Sequence, residues 1–440
     1  MTLRGESTLP IGLPSLRRNF SWTLAGNGFY AVCQWGILIL LARLAGPEAL
    51  GQFTLGIAVT APIVMLTNIQ LRSVQASGGS SEPSFGHYLA LRLLSGLSAF
   101  AVIGVVVMAA GYSQATAAVI CAVGVAKVIE SLGDVCYGLQ QRSERMSQIA
   151  VSLVLKGAAS VVLLGTALSV TGSALYGVVA VAVAWTVVLL VYDLPSASLL
   201  LRAKAETIWP VWNASVLRGL VRLAAPLGIV SFLLSLNTNI PRYLLQLHLG
   251  ERELGIFAAV AYLTAAGATV VSALGHSALP RLAMLHAAGR QRSFVQLLAK
   301  MATIIVGVAL LGFGVASVAG EQLIRFVYGP AYAEYAFLLL PVIAWAAVSF
   351  LTSLLTFAVT AVRQFDIQVP ISVLSIVVTG VTSALLITRW GVAGAAWGAL
   401  AGAAVHALGN LVVVLCAMRS RQSTGAVPSS TVELKAAAQY

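Results

Sequence analysis

The chain has 440 residues, of which 59% are hydrophobic and only 9% are charged. Soluble domains carry about 25% charged residues, so this composition excludes an ordinary soluble protein and indicates an integral membrane protein. The net charge of +12 does not indicate nucleic-acid binding, because the basic residues are scattered between apolar runs and are better explained by membrane topology.

Apolar stretches of about twenty residues, long enough to cross a bilayer, recur along the whole chain. The first begins after Arg17 and Arg18 and is too long for the core of a cleavable signal peptide. We therefore predict an all-helical protein of about twelve transmembrane helices. The predicted spans are 20–42, 50–69, 88–110, 115–139, 149–170, 173–193, 219–246 (interrupted near Pro241), 254–279, 300–320, 335–361, 367–388 and 391–418.

The 26 basic residues are distributed unequally between the two sides of this arrangement. Nineteen, including Arg72 and Arg92, fall in segments on the side of the termini, five fall on the opposite side, and two lie within spans. Because cytoplasmic loops are enriched in Lys and Arg, this bias predicts that both termini are cytoplasmic. The expected location is the cytoplasmic (inner) membrane of a bacterium.

No loop is long enough to form a soluble domain. The longest joins the two halves and carries Trp209 and Trp212 with Arg202 and Lys204, which is typical of an amphipathic segment at the membrane surface. The predicted units are a six-helix bundle over 1–194, a cytoplasmic linker over 195–218, a second six-helix bundle over 219–418 and a disordered cytoplasmic tail over 419–440.

The two halves repeat one another. The turn Gly46–Phe53 (GPEALGQF) and the turn Gly250–Phe257 (GERELGIF) share four residues at one offset of 204 positions. Both follow the first span of their half. An even number of spans per half gives both halves the same orientation, so we predict two bundles related by a parallel pseudo-two-fold axis along the membrane normal.

Charged side chains are concentrated in the fourth predicted span. Lys127, Glu130 and Asp134 have spacings that place them on one face of a helix. Lys156 in the next span falls between the two carboxylates in depth, and the four charges sum to zero. Two interpretations are open: a neutral brace between neighbouring helices, or a site in which Glu130 or Asp134 couples and gates transport.

A second polar group lies in the seventh span and contains Asn237, Asn239 and Arg242 beside Pro241. Proline frees backbone carbonyls, which membranes tolerate beside protein or a wet cavity. Arg242 could bind a phosphate through two parallel hydrogen bonds, or it could be an interfacial arginine. Arg43 occupies the related place at the end of the first span.

Motifs for enzymatic chemistry are scarce. The sequence has no HExxH, Walker or suitably placed GxSxG motif, and its cysteines lack metal-ligand spacing. We therefore expect neither a catalytic residue, a metal site nor a cofactor, and we expect that the protein is not an enzyme.

Several turns resemble those of bacterial polysaccharide-type flippases of the multidrug/oligosaccharidyl-lipid/polysaccharide exporter superfamily. The resemblance rests on Leu44–Phe53 (LAGPEALGQF), Asp134–Met146 (DVCYGLQQRSERM) with Leu155–Gly157 (LKG), Val327–Tyr332 (VYGPAY) and Gly391–Ala396 (GVAGAA), in this order. It covers nearly the whole chain and implies two six-helix bundles around a central cavity.

The resemblance implies a flippase that moves an undecaprenyl-diphosphate-linked oligosaccharide to the outer leaflet for surface-polysaccharide or exopolysaccharide biosynthesis. Its expected partners are that glycan lipid, membrane lipid and other assembly proteins such as a polymerase or a chain-length regulator, and no nucleic acid. The alternatives are a cation-coupled drug exporter of the same superfamily and a non-transporting scaffold of a polysaccharide assembly complex. The candidate substrate-binding residues are Arg43, Lys127, Lys156, Asn237, Asn239 and Arg242, and the candidate coupling residues are Glu130 and Asp134.

Overall fold

The computed structural model describes residues 16–77, 83–203, 206–364 and 366–423. These ranges are almost entirely helical and contain no β-strand. The long helices are α1 Leu16–Leu40, α2 Gly46–Asn68, α3 Phe85–Ala110, α4 Gln114–Arg142, α5 Met146–Thr171, α6 Ala174–Val188, α7 Ala214–His248, α8 Glu251–Tyr262 with its continuation Ala265–Ala287, α9 Gln291–Tyr328, α10 Leu339–Ala361, α11 Gln368–Trp390 and α12 Val392–Ser423.

Twelve membrane passes account for these helices. Ten helical segments in the described ranges are long and apolar enough to cross a membrane, or eleven with the bent pair of α8. One segment, Arg17–Ser77, has 61 residues, which is ~90 Å of helix at 1.5 Å per residue and holds two passes, α1 and α2. The chain is therefore a multi-pass all-helical membrane protein, as predicted.

The helices differ from the predicted spans in several places. The interruption expected near Pro241 is absent, because α7 continues through that residue to His248. The bend lies instead in α8, whose two parts meet at 47°. Helix α6 runs on through a π turn, Leu189–Asp193, into Leu194–Arg202, so the linker is shorter than 195–218. Helix α12 extends to Ser423, beyond the expected start of the tail.

Some predicted features fall outside the described residues. These are Arg4, Lys204, Lys435 and the tail from residue 424 onward. The described part of the linker packs against the start of α3, where the amide of Val211 donates to the carbonyl of Gly86 at 3.0 Å. The Glu206 carboxylate accepts from the Phe85 amide at 3.3 Å. Trp209 and Trp212 are exposed, but the segment around them is not a helix.

Helices α1–α6 and α7–α12 form two bundles with the same order of elements. Gly46 ends the π turn after α1 with φ of 85°, and Gly250 precedes α8 with φ of 97°. Residues with a side chain rarely adopt this conformation, so a glycine is required at the same place in each half. The sequence repeat is thus a structural repeat.

Consecutive helices alternate in direction, which defines two sides of the molecule. We call the side that carries residues 16 and 423 the termini side and the opposite side the far side. On the far side α2 and α8 cross in direct backbone contact. A Cβ atom on Gly51 would lie 1.8 Å from the carbonyl oxygen of Glu251, and one on Gly255 would lie 1.9 Å from that of Pro47. The crossing closes the space between the bundles at this side.

Towards the termini side, the two bundles remain in contact through α2 and α7. Helix α2 remains against α7, where Gly228 contacts Ile69 and the Gln70 amide donates to the Ser231 hydroxyl at 3.0 Å. Within the described ranges, α1 contacts α8 mainly through its first part, Glu251–Tyr262. Phe20, Leu24 and Phe29 near the start of α1 are exposed, so the second bundle does not cover these side chains.

Candidate functional site

The charged residues of the first bundle form three ion pairs around α4. Lys127 Nζ lies 2.7 Å from Glu130 Oε2 on the same helix. The other two pairs each join α4 or α5 to a residue that the sequence analysis did not include among the candidates. Two pairs, Lys127–Glu130 and Arg72–Asp134, are partly exposed and form an outer layer. The third, Lys156–Asp193, is buried and forms an inner layer.

The first pair of the outer layer, Lys127 and Glu130, lies in the middle of the membrane. Lys127 is thirteen residues from the far-side start of α4, about 20 Å along the helix. The two side chains are 28% and 31% exposed. The Tyr30 hydroxyl of α1 donates to Glu130 at 3.5 Å, and Tyr262 of the second bundle is near enough to Lys127 to interact with its charge. This pair faces the space between the bundles.

Asp134 lies one helical turn nearer the termini side and pairs with Arg72 at 3.5 Å. Arg72 belongs to the short helix Leu71–Ser77 that follows α2, and its Nε donates to Gln141 at 3.3 Å. Both charged side chains are about one-third exposed. A polar cavity of about 130 Å³ next to Arg72 is lined by Asn27 and Gln141 among others. From sequence, Arg72 is only one of the basic residues that determine topology.

Lys156 is not the partner of Glu130 or Asp134, which corrects the predicted grouping. Its Nζ lies 2.8 Å from Asp193 Oδ2 and donates to the Tyr137 hydroxyl at 2.9 Å, and the charged pair is buried. Asp193 stands in the π turn of α6. Gly133 of α4 leaves room for the pair, since a Cβ there would lie 2.7 Å from Lys156 Nζ. The pair joins α4, α5 and α6 and has no open surface for a ligand.

Arg92 completes the group, although from sequence it counts only as a basic residue on the side of the termini. Its side chain is fully buried in α3, and Nη1 donates to the carbonyl of Asn68, the last residue of α2, at 3.5 Å. Its Nε is buried with no partner. Counting Arg72, Arg92 and Asp193 gives four cations and three anions, so the cluster carries one positive charge in excess and is not neutral as predicted.

The remaining candidate residues lie in three other places. Arg43 is on the far side, where its guanidinium donates to the carbonyls of Phe326 and Val327 at the end of α9. Arg242 donates to Asn239 of its own helix at 2.8 Å, and its Nε is buried with no partner. Asn237 bonds Ser375 and Thr379 of α11 inside the second bundle. The structure therefore does not gather the eight predicted residues into one site.

Electrostatics follow from this geometry. A charge in a membrane interior costs several kcal/mol unless it is paired or hydrated. The buried charges of Lys156 and Asp193 are stabilised by each other and by the Tyr137 hydroxyl. The side chains of the two outer pairs are partly exposed, so a solvent molecule or a ligand can reach them. These four can exchange a partner for an ion or a charged ligand. The buried Arg92, whose charge acts on Asp134, gives the whole cluster one positive charge in excess, which favours an anionic ligand.

Sequence comparison places the chain in a family. The family model described as "Polysaccharide biosynthesis protein" matches residues 16–286, more than half of the chain. A curated relative, the capsular polysaccharide biosynthesis protein CapF of Staphylococcus aureus, is 24% identical over 382 residues, covering 86% of this chain and 94% of the relative.

Solved structures show the same fold. An inward-facing multidrug resistance MATE family transporter of the MOP superfamily has a TM-score of 0.72 at 13% identity and covers 92% of this chain and 100% of its own. An outward-facing conformation of such a transporter has a TM-score of 0.61 at 14% identity, covering 93% and 95%. A MOP superfamily transporter from Pyrococcus furiosus has a TM-score of 0.62 at 14% identity, covering 92% and 95%.

At these low sequence identities the solved structures establish only the fold. The family model, the capsular relative and the twelve-helix fold agree with the resemblance found in the turns. The chain belongs to the polysaccharide biosynthesis protein family and is a polysaccharide-type membrane transporter with the fold of the MOP superfamily.

Proposed function

We propose that the protein is a flippase that moves a polyprenyl-diphosphate-linked oligosaccharide from the cytoplasmic to the outer leaflet of the inner membrane. The termini side is cytoplasmic in this proposal, in accordance with the distribution of basic residues. The observation that carries it is that two cations of the first bundle, Lys127 and Arg72, are partly exposed between bundles that are closed on the far side. A diphosphate is an anion that such a site can attract and desolvate.

Three basic residues supply successive positions for the diphosphate. Arg72 pairs with Asp134, which is eight residues from the end of α4 and about 12 Å from the termini side. Lys127 lies about 10 Å further in. Arg242 is six residues before the far-side end of α7, and its buried Nε retains a free donor. The headgroup passes from Arg72 to Lys127 and then to Arg242, while the polyprenyl tail stays in lipid.

Each of the two carboxylates competes with the headgroup for one cation. Glu130 holds Lys127, and Asp134 holds Arg72, at the distances of ordinary ion pairs. A diphosphate oxygen that takes over either cation displaces a carboxylate in a low-dielectric region, and protonation or a metal cation then stabilises it. Substrate binding is thereby coupled to uptake of a cation at Glu130 or Asp134.

Alternating access completes the cycle. The crossing of α2 and α8 at Gly51 and Gly255 closes the far side in this conformation, and the substrate enters laterally beside the exposed start of α1. Rocking of the bundles separates the crossing and releases the headgroup outward. Arg43, which bonds the end of α9, acts on this closure and not on the incoming substrate.

A leaflet-resolved assay in a deletion strain tests the function. We expect lipid-linked glycan to accumulate in the cytoplasmic leaflet, surface polymer to be lost, and the gene to restore both. Normal delivery of glycan to the outer leaflet without the gene would refute the flippase. A drug-sensitivity phenotype with normal polymer would favour an exporter. Loss of polymer with normal outward delivery of its lipid-linked unit would favour a scaffold.

A further inference from the structure

The second bundle contains an uncharged cavity, lined by both polar and apolar side chains, that is separate from the charged cluster. Its volume is about 370 Å³, and it lies among helices α7, α8, α10, α11 and α12. No Lys, Arg, Asp or Glu is among the described residues that line it, and His406 is the titratable side chain there. Its polar lining consists mainly of hydroxyl and amide groups, including Ser349, Ser353, Thr356, Thr379 and Asn237.

This cavity occupies the same place in its bundle as the charged cluster does in the first. Helices α4 and α10 are followed by Ser143 and Val362, 219 positions apart (143 to 362). Helices α5 and α11 are followed by Gly172 and Gly391, also 219 apart (172 to 391) and both with positive φ. At this offset the equivalent residues are Glu130 and Ser349, Asp134 and Ser353, Tyr137 and Thr356, Lys156 and Ser375, and Ser160 and Thr379.

The contacts confirm the correspondence. Asp193 of α6 matches Asn410 of α12 when Gly177 is aligned with Gly394. In the first bundle Lys156 joins Asp193 to Tyr137. In the second, Asn410 Nδ2 donates directly to Thr356, the equivalent of Tyr137, at 3.0 Å. The same framework therefore carries ions in one bundle and neutral groups in the other.

The lining favours an uncharged ligand rich in hydroxyl groups. Ser353 and Thr356 donate to carbonyls one turn back along α10, at 3.0 Å and 2.9 Å. The Ser353 oxygen therefore keeps its lone pairs as acceptors, and Thr356, which already accepts from Asn410, keeps one. The cavity wall also contains Trp345, Phe350 and Phe357, which offer apolar surface to the flat side of a pyranose ring. An anion would find neither a basic side chain nor a free amide cluster among these residues. The volume falls within the ~300–1,000 Å³ of small-ligand sites.

We propose that this cavity binds an uncharged sugar residue of the transported glycan while the basic residues of the first bundle hold the diphosphate. The inference rests on the proposed function and adds a substrate subsite to it. One bundle recognises the charged group common to all lipid-linked glycans, and the other recognises the sugar that distinguishes one glycan from another. Specificity for the glycan is therefore set by α10 and α11, not by α4 and α5.

Binding of free sugars to the purified full-length protein tests this directly. The probes are glucose, galactose and N-acetylglucosamine at millimolar concentration, observed by saturation-transfer difference NMR, and inorganic pyrophosphate, observed by calorimetry. We expect at least one sugar to bind the wild type, and to bind Ser349→Ala with Ser353→Ala at least tenfold more weakly. Lys127→Ala should bind the sugar normally and pyrophosphate at least tenfold more weakly.

Ser317→Ala on the exposed face of α9 is the matched control and should bind both probes as the wild type does. No sugar binding by folded wild type, or equal binding by the double serine variant, overturns the inference. Glycan transfer separates it from the proposed function. Sugar binding at the cavity without any transfer of lipid-linked glycan refutes the flippase alone. Transfer that requires Lys127 but proceeds at the wild-type rate in the serine variant refutes the sugar subsite alone.

Discussion

The buried pair of Lys156 and Asp193 should behave as a brace. Removing one partner leaves an unpaired charge in the bundle, which costs about 3–5 kcal/mol. Both side chains are almost completely buried, at 3% and 0% exposure, so solvent screening does not reduce this cost. Replacing both partners by apolar residues of similar volume is typically neutral or stabilising. We therefore expect Lys156→Met to be strongly destabilised and the double variant Lys156→Met with Asp193→Leu to recover.

The assay has two readouts for the same set of variants. The first is the apparent Tm of detergent-purified protein, which reports kinetic as well as thermodynamic stability. We expect each single variant to fall by several degrees and the double variant to return to within a degree or two of wild type. The second is export of surface polymer, which the double variant should support. A stable double variant without export would show that Lys156 or Asp193 is needed for transport itself, and a purely structural role of the pair would be refuted.

Three further changes test other parts of the structure. Gly51→Leu puts a side chain into the crossing of α2 and α8, where even a Cβ lies 1.8 Å from a carbonyl oxygen. It should hold the far side open, seen as longer distances between spin labels across the bundles, whereas Gly104→Leu, with open space around it, should not. Gly133→Ala should lower Tm, because the new methyl group displaces the Lys156 ammonium. Gly28→Ala, whose methyl group meets open space, should leave Tm unchanged. Equal changes in Tm would contradict the packing at Gly133. Arg72→Gln should reduce polymer export at least tenfold at unchanged protein level, and wild-type export would remove it from the proposed path.

The spans and the repeat could be predicted from sequence because both follow from simple constraints. A helix must bury about twenty apolar residues to cross a bilayer, and the turns at Gly46 and Gly250 require glycine for their positive φ. Both signals are local. The clustering of Lys127, Glu130 and Asp134 on one face of α4 was equally accessible, since helical geometry alone determines it.

The partners of these charges could not be predicted in the same way. Asp193 was assigned to the end of a span, and the π turn that brings it to Lys156 has no clear signal in the sequence. Arg92 was sorted by its position near a predicted loop, although it is fully buried and caps α2. Counting residues along the helix predicts the depth of Lys156 but not the direction of its side chain around the helix.

The cavity of the second bundle was missed for a different reason. Ser and Thr are common in membrane helices because their hydroxyls bond the carbonyl one turn back, so Ser353 or Thr356 alone does not indicate a binding site. The site becomes recognisable when the two bundles are aligned, because these residues then correspond to Asp134 and Tyr137. The sequence groups Asn237 with Arg242 on α7, whereas its side chain bonds Ser375 and Thr379 of α11 and so belongs to the cavity.

The central claim is that partly exposed cations of the first bundle carry a diphosphate-linked glycan across the membrane. Its most direct test is transfer of purified lipid-linked oligosaccharide between the leaflets of proteoliposomes that contain the purified protein. We predict transfer by the wild type, at least a tenfold slower rate for Lys127→Ala, and a normal rate for Ser317→Ala. Transfer by Lys127→Ala at the wild-type rate, or no transfer by folded wild-type protein under an imposed cation gradient of either sign, would contradict the account.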